Sequence, residues 1–226
     1  MERSLREGIR LFCLKRWDMA LAEFLQINAS QLDTKEVADL SYYLGLCYTK
    51  LGHFDDALSY LEQVVSEGYS PFRVRQCRIT LAYIYTMTKR AEMAEFEIAK
   101  ILKSGYESVI VYAIMAYALW LQKKYDPAIE LYRKILSMDA DNVTALNGLG
   151  YLLVDTGIDI ERGLKLCKKA VTYKPNSAAY LDSLAWACFK KGEVSEAKVL
   201  FRKAIELAPK QTEIRIHQHI ASGENI

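Results

Sequence analysis

The chain is short of the residues from which active sites are most often built. It holds three histidines, and none sits in an H-E-x-x-H frame. There is no G-x-S-x-G elbow, no glycine-rich phosphate loop and no paired C-x-x-C. His217 and His219 stand two apart, which on a helix turns their side chains about 200° from one another, a poor arrangement for sharing a metal. Both are expected on the surface of a terminal cap, and His53 in a solvated turn. With no nucleophile–base pair to propose, the sequence argues against an enzyme, and neither a cofactor nor a metal is expected.

A bias toward charge of one sign is missing too. Lysine and arginine total 30 against 28 acidic residues, a net charge of +2, which argues against nucleic acid or an anionic membrane as a partner held by bulk charge. The apolar run Val109–Leu121 spans only 13 residues, and a membrane-crossing helix needs about 20. Membrane insertion is therefore not expected. No apolar stretch follows a basic N-terminus, so a cytoplasmic location is expected, with a periplasmic or envelope location as the alternative for a trimmed fragment. The five cysteines are odd in number and scattered, which favours reduced thiols acting as small hydrophobes.

Against these absences stands a period. Laid from Met1, a 34-residue spacing strikes small residues at Gly8/Ala20, Gly45/Ala57, Ala82/Ala94, Ala116/Ala128, Gly150/Gly163 and Ala185/Ala197. A stacked helical array requires this, because each helix pair must let its neighbour approach closely at the same two points. Six units follow, 1–34, 38–71, 75–108, 109–142, 143–177 and 178–211, with 212–226 left as a capping helix and frayed tail.

The units carry further markers. The second gives Leu44, Gly45, Tyr48, Gly52, Phe54, Ala57 and Leu61; the sixth gives Leu181, Leu184, Ala185, Gly192, Ala197, Phe201, Ala204 and Pro209. This pattern resembles the tetratricopeptide repeat, a helix–turn–helix family. The resemblance implies an all-α, right-handed superhelical solenoid of six repeats with a C-terminal capping helix.

Helix-end signals agree with that register. Ser4 with Glu7 and Asp33 with Glu36 have capping-box spacing. Ser70-Pro71 and Asp126-Pro127 read as a cap followed by a first-turn proline. The three-residue insertions before the second and third units read as extra turns on their first helices. Thr212 is expected to cap a short helix over 213–221 whose Ile214, Ile216 and Ile220 cover the last repeat, with Gly223–Ile226 fraying.

In the family the concave face is built mainly from positions 2, 5, 9 and 12 of each unit, with help from 6 and 13. Position 9 here reads Ile9, Leu46, Tyr83, Tyr117, Tyr151 and Trp186; position 12 reads Phe12, Thr49, Thr86, Trp120, Val154 and Phe189; position 5 includes Tyr42, Ile79, Ala113, Asn147 and Asp182. The family's position 9 is largely polar, often Asn, and its best-known groove holds a Lys–Asn–Arg clamp for C-terminal carboxylates. No three consecutive units here supply that clamp. What remains is an aromatic groove whose apolar focus is Ile79, Tyr83, Ile110, Ala113, Ile114, Tyr117, Trp120 and Leu121 in the third and fourth units.

The unit-four first helix is apolar nearly all round, so its groove side needs a cover. Neighbouring first helices could bury part of it by curvature. Toward the C-terminal end, Asn147, Asp155 and Asp182 beside Tyr151 and Trp186 suit a peptide backbone or an Arg/Lys side chain. The resulting expectation is a non-enzymatic scaffold or adaptor holding an apolar or aromatic-anchored peptide or helix of a protein partner. The alternatives are a homo-oligomer using the same patch, or a small-ligand or lipid carrier of an envelope transport system.

Overall fold

Position 15 of the repeat explains how the chain turns back on itself every 34 residues. Gly52, Gly157 and Gly192 sit in the left-handed region, and so do Lys15, Lys89 and Lys123, with φ of 59°, 59° and 60°. A left-handed residue reverses the backbone after a first helix and frees the chain to start the second. In the computed structural model, which describes residues 3–68 and 70–223, these turns join six helix pairs. They are α1 (Arg3–Cys13) with α2 (Trp17–Leu25), α3 (Thr34–Leu51) with α4 (Phe54–Glu67), and α5 (Pro71–Met87) with α6 (Ala91–Lys103). Then come α7 (Val109–Leu121) with α8 (Tyr125–Met138), α9 (Val143–Asp155) with α10 (Ile160–Tyr173), and α11 (Ala178–Lys191) with α12 (Val194–Leu207). A last helix, α13 (Thr212–Ser222), follows, and a 3₁₀ turn at Ala29–Gln31 precedes α3. Among the described residues there is no strand.

The small-residue pairs are packing points. Every one of them is buried. A β-carbon on Gly8 would lie 2.4 Å from the Phe24 ring, and one on Gly45 would lie 2.7 Å from Leu61. In these two units the bulky residue of the second helix thus fits against the missing side chain of the first. Gly148 plays the same part between α8 and α9, where a β-carbon would meet the Tyr132 ring at 2.4 Å.

Helix ends follow local chemistry. Asp33 and Glu36 form a reciprocal capping box on α3, and Ser70 accepts from the Arg73 N–H with Pro71 in the first turn of α5. These two helices are 18 and 17 residues long, against 13 for α7 and α9. Three expectations are corrected. Ser4 lies inside α1 and Glu7 pairs with Arg10, so the two are not a cap. Asp126 is not the cap of α8; the left-handed turn at Lys123 starts that helix at Tyr125, with Lys124 as its N-cap. Pro127 is then the third helical residue, where its missing N–H costs nothing. Thr212 is the first residue of α13, and Gln211 is its N-cap. Residues 224–226, where fraying was expected, lie outside the described residues.

The chain divides into two compact units, up to Glu107 and from Ser108. In the first, Leu5, Leu11, Phe24, Leu40, Leu44 and Cys47 form a core with Tyr43 packed against it. In the second, Leu164, Cys167, Leu181, Leu184, Phe201 and Ile214 do so. No described helix is long and apolar enough to cross a membrane.

Candidate functional site

The division between units separates the expected apolar focus. Ile79 and Tyr83 belong to the first unit; Ile110, Ile114, Tyr117, Trp120 and Leu121 belong to the second. In the first unit Ile79 is buried in the core, Tyr42 and Leu46 are half-buried, and Tyr83 is exposed with its edge on Phe54. In the second unit Ile114 is buried, while Leu121, Asn147 and Phe189 are half-buried. Ile79 and Ile114 are therefore core residues, not surface anchors.

On α7 the groove side stays open where apolar patterning said it needed a cover. Ser108 caps the helix, and Ile110 and Tyr117 remain 55 % and 39 % exposed. Tyr117 lies 5.2 Å from Trp120, and Trp120 meets the edge of Tyr151 on α9 at 5.8 Å. The covered helix is instead α11, whose residues Leu181–Cys188 are buried without a break. Helix α13 lies against both α11 and α12.

His217 of α13 is the residue that makes this cover specific. Its ring stacks on Trp186 at 4.8 Å with 24° between planes and lies 6.0 Å from Tyr151. Trp186 in turn lies 5.5 Å from Phe189. The rings of Tyr117, Trp120, Tyr151, His217, Trp186 and Phe189 thus form one continuous ladder from α7 to α11, with the histidine as a rung. His217 Nδ1 is 2.9 and 3.0 Å from the two carboxylate oxygens of Asp182, which is 7 % exposed. A carboxylate only accepts, so Nδ1 carries the proton and donates. The indole N–H of Trp186 donates to Asp155 at 3.1 Å. Burial pushes the Tyr151 phenol far up, helped by the charges of Asp155 and Asp182. Burial also raises Tyr117, with a contribution from Glu213 at the start of α13. One turn before Tyr151 on α9, Asn147 Oδ1 is buried and accepts no hydrogen bond.

The expectation that His217 is a surface residue is thus corrected. A signal for its role was present: one more step of the 34-residue period places it at position 6 of a seventh unit, which helps line the groove in the family. Of the three isoleucines expected to cover the last repeat, only Ile214 does so. Ile216 and Ile220 remain 48 % and 44 % exposed.

Two other constellations emerge only in three dimensions. Cys188 Sγ and the Glu193 and Glu196 carboxylates have ligand atoms within 4.8 Å of one another. Burial and those two carboxylates push the thiol up to about 11, so it is protonated at neutral pH, and Lys191 pairs with Glu193. In the first unit a cleft of about 580 Å³ runs between α4, α5 and α6. It contains the Arg78–Glu97 ion pair and a hydrogen bond from the Tyr85 hydroxyl to Glu62.

Comparison with known proteins agrees with the fold. Family models described as tetratricopeptide repeat match residues 39–69, 110–142 and 178–211. The chain belongs to the tetratricopeptide repeat family. It is 25 % identical over 214 residues to the human mitochondrial import receptor subunit TOM70, covering 89 % of this chain and 35 % of that protein. It is 27 % identical over 162 residues to the TPR repeat-containing protein PA4667 of Pseudomonas aeruginosa, covering 71 % of this chain and 27 % of that one. The chain thus spans about a quarter to a third of the length of the curated relatives it matches. Among solved structures, a tetratricopeptide repeat protein from Parabacteroides merdae superposes with a TM-score of 0.75 at 16 % identity, over 97 % of this chain and 83 % of that one. YrrB, described as a TPR protein with an unusual peptide-binding site, superposes with a TM-score of 0.53 at 15 % identity, over 81 % of this chain and 92 % of that one. These likenesses show a shared solenoid fold of helical repeats. Proteins of the family are generally protein–protein interaction scaffolds and typically non-enzymatic.

Proposed function

We propose that this chain is a non-enzymatic scaffold that binds a peptide or helix of a protein partner across the aromatic face of its second unit. The observation that carries this reading is the open end of the ring ladder. Ile110 and Tyr117 stay exposed on a helix that is otherwise apolar, while Trp120 and Tyr151 continue the same face half-buried. Rigid aromatic side chains presented together are the anchors that dominate protein interfaces, because they bury large area at little entropic cost. The absence of a Lys–Asn–Arg carboxylate clamp points away from charged C-terminal tails and toward apolar or aromatic anchors. The similarity to TOM70, an import receptor subunit, and to YrrB, a TPR protein with an unusual peptide-binding site, is compatible with a polypeptide ligand.

The test is affinity capture with the wild-type chain beside the Tyr117→Ala/Trp120→Ala double variant. Proteins retained by the wild type are expected to be lost by the variant while its helical circular dichroism is unchanged. An identical set captured by both chains overturns the reading.

A further inference from the structure

We propose that Tyr151, Asp155, Asp182 and Trp186 form a subsite for an arginine side chain of the partner segment, held closed in the free protein by His217 of α13. This rests on the scaffold reading above and specifies the chemistry that one end of the face recognises.

The argument starts from a mismatch between the subsite and its present occupant. Asp182 is nearly sealed from solvent, and its carboxylate receives hydrogen bonds from the described side chains through one nitrogen of His217. That nitrogen carries a single proton, shared between two oxygens at 2.9 and 3.0 Å. A second carboxylate, the half-buried Asp155, accepts the indole N–H of Trp186. A buried carboxylate is stabilised by a permanent cation, and an imidazole supplies one only when protonated. A guanidinium is always charged, and its planar fork offers two parallel N–H groups to the two oxygens that now share one.

The aromatic walls fit the same group. The Trp186 face already stacks on a flat ring at 4.8 Å, and the Lys190 ammonium lies 5.5 Å from the Trp186 centroid. A planar cation between Trp186 and Tyr151 meets ring faces that attract positive charge. The buried Asn147 Oδ1, on the same face of α9, is one more acceptor without a donor.

Helix α13 is also lightly held. It has 11 residues and no side-chain N-cap, and only Ile214 and Ala221 are buried. A helix of that length is marginal in water on its own, so it stays folded only while it is docked on α11 and α12. It is the kind of element that opens at low cost. The free protein thus carries an internal stand-in that a better-matched segment displaces.

The experiment uses the full chain and a defined probe. Fluorescent peptides of residues 211–223, one carrying His217→Arg and one His217→Met, are titrated by anisotropy into wild-type chain, His217→Ala chain and His217→Ala/Asp182→Asn chain. The arginine peptide is expected to bind the His217→Ala chain at least about tenfold more tightly than the methionine peptide does. It is also expected to bind the wild-type chain more weakly, and to lose about tenfold or more on adding Asp182→Asn. Equal binding of the two peptides, or no effect of Asp182→Asn, overturns the subsite. Should Asp182→Asn disturb folding, the melting temperatures of single full-length variants decide. His217→Arg melting at or above wild type with His217→Met below it supports the subsite, and the reverse order overturns it. Tyr117 and Trp120 lie on α7, outside the subsite. Lost capture in their double variant with failed arginine selectivity overturns the subsite alone; unchanged capture with intact selectivity overturns the wider groove reading alone.

Discussion

The backbones of α9 and α10 meet at Gly150 and Gly163. A β-carbon on Gly150 would lie 3.0 Å from the Gly163 carbonyl oxygen, and one on Gly163 would lie 2.7 Å from the Gly150 carbonyl. Elsewhere a Gly–Ala or Ala–Ala pair suffices, but here both partners are bare and the two helices touch main chain to main chain. The contact is rigid because backbone, unlike a flexible side chain, has little room to give.

Gly163→Ala is therefore expected to overpack this contact and destabilise the protein by about 1–3 kcal/mol. Urea denaturation followed by circular dichroism measures it. An unchanged midpoint would show that α10 shifts freely and that the approach is not a constraint.

The Arg78–Glu97 pair joins α5 to α6, with side chains only 18 % and 11 % exposed. Replacing Arg78 by Met leaves Glu97 uncompensated in a partly dry site and is expected to cost about 3 kcal/mol. A further Glu97→Leu change should recover most of that loss, since a matched apolar pair replaces a buried charge. A double variant no more stable than Arg78→Met contradicts this account.

Thiol reactivity separates one cysteine from four. Cys13 is exposed, while Cys47, Cys77, Cys167 and Cys188 are buried. Burial pushes the Cys47, Cys77 and Cys167 thiols up to about 12 and Cys188 up to about 11. Only the thiolate reacts appreciably, so a thiol reagent at pH 8 is expected to modify one cysteine in the native chain and all five after denaturation. Rapid native labelling of Cys188 would show that the α11–α12 contact opens readily.

Alkaline pH should unfold the protein. Burial raises Tyr42 from 10.0 to about 12, and Cys47 and Cys77 from 9.0 to about 12. A raised value in the folded chain means that the folded state holds the proton more tightly. The stability linked to these groups is complete below pH 9, the ordinary thiol value, and is lost as pH rises toward about 12. Urea midpoints at pH 8, 9.5 and 11 are expected to fall across the last two steps. A midpoint that stays level to pH 11 contradicts the assignment.

Much of this molecule was legible because one period carried it. Small residues at two positions, a turn residue at position 15 and helix caps at Asp33 and Ser70 recur in the linear pattern, since each unit solves the same local packing problem. The aromatic ladder was legible as well, from positions 9 and 12. What the period leaves open is the covering of each face. Ile79 and Ile114 carry groove addresses in the family pattern, yet they are buried, because position in a unit fixes the direction of a side chain and not what lies above it. The starts of α8 and α13 were displaced by one or two residues from the sequence signals, since turn geometry at Lys123 and Gln211, rather than the nearest good capping residue, sets where those helices begin.

By itself, the sequence determined the class of fold, the pairing of helices and the residues that keep them close, for these depend on neighbours within about one repeat. Only the tertiary structure decided that His217 belongs to the ring ladder. It closes on Asp182 from 35 residues away, as the partner of a carboxylate that its own helix buries. That pairing depends on where α13 docks, which is set by the burial of Ile214 and Ala221 and not by any local propensity of the segment. The helical period thus writes the scaffold into the chain, while the chemistry of the groove's end is written by a contact that exists only once the last helix has folded onto the sixth helix pair.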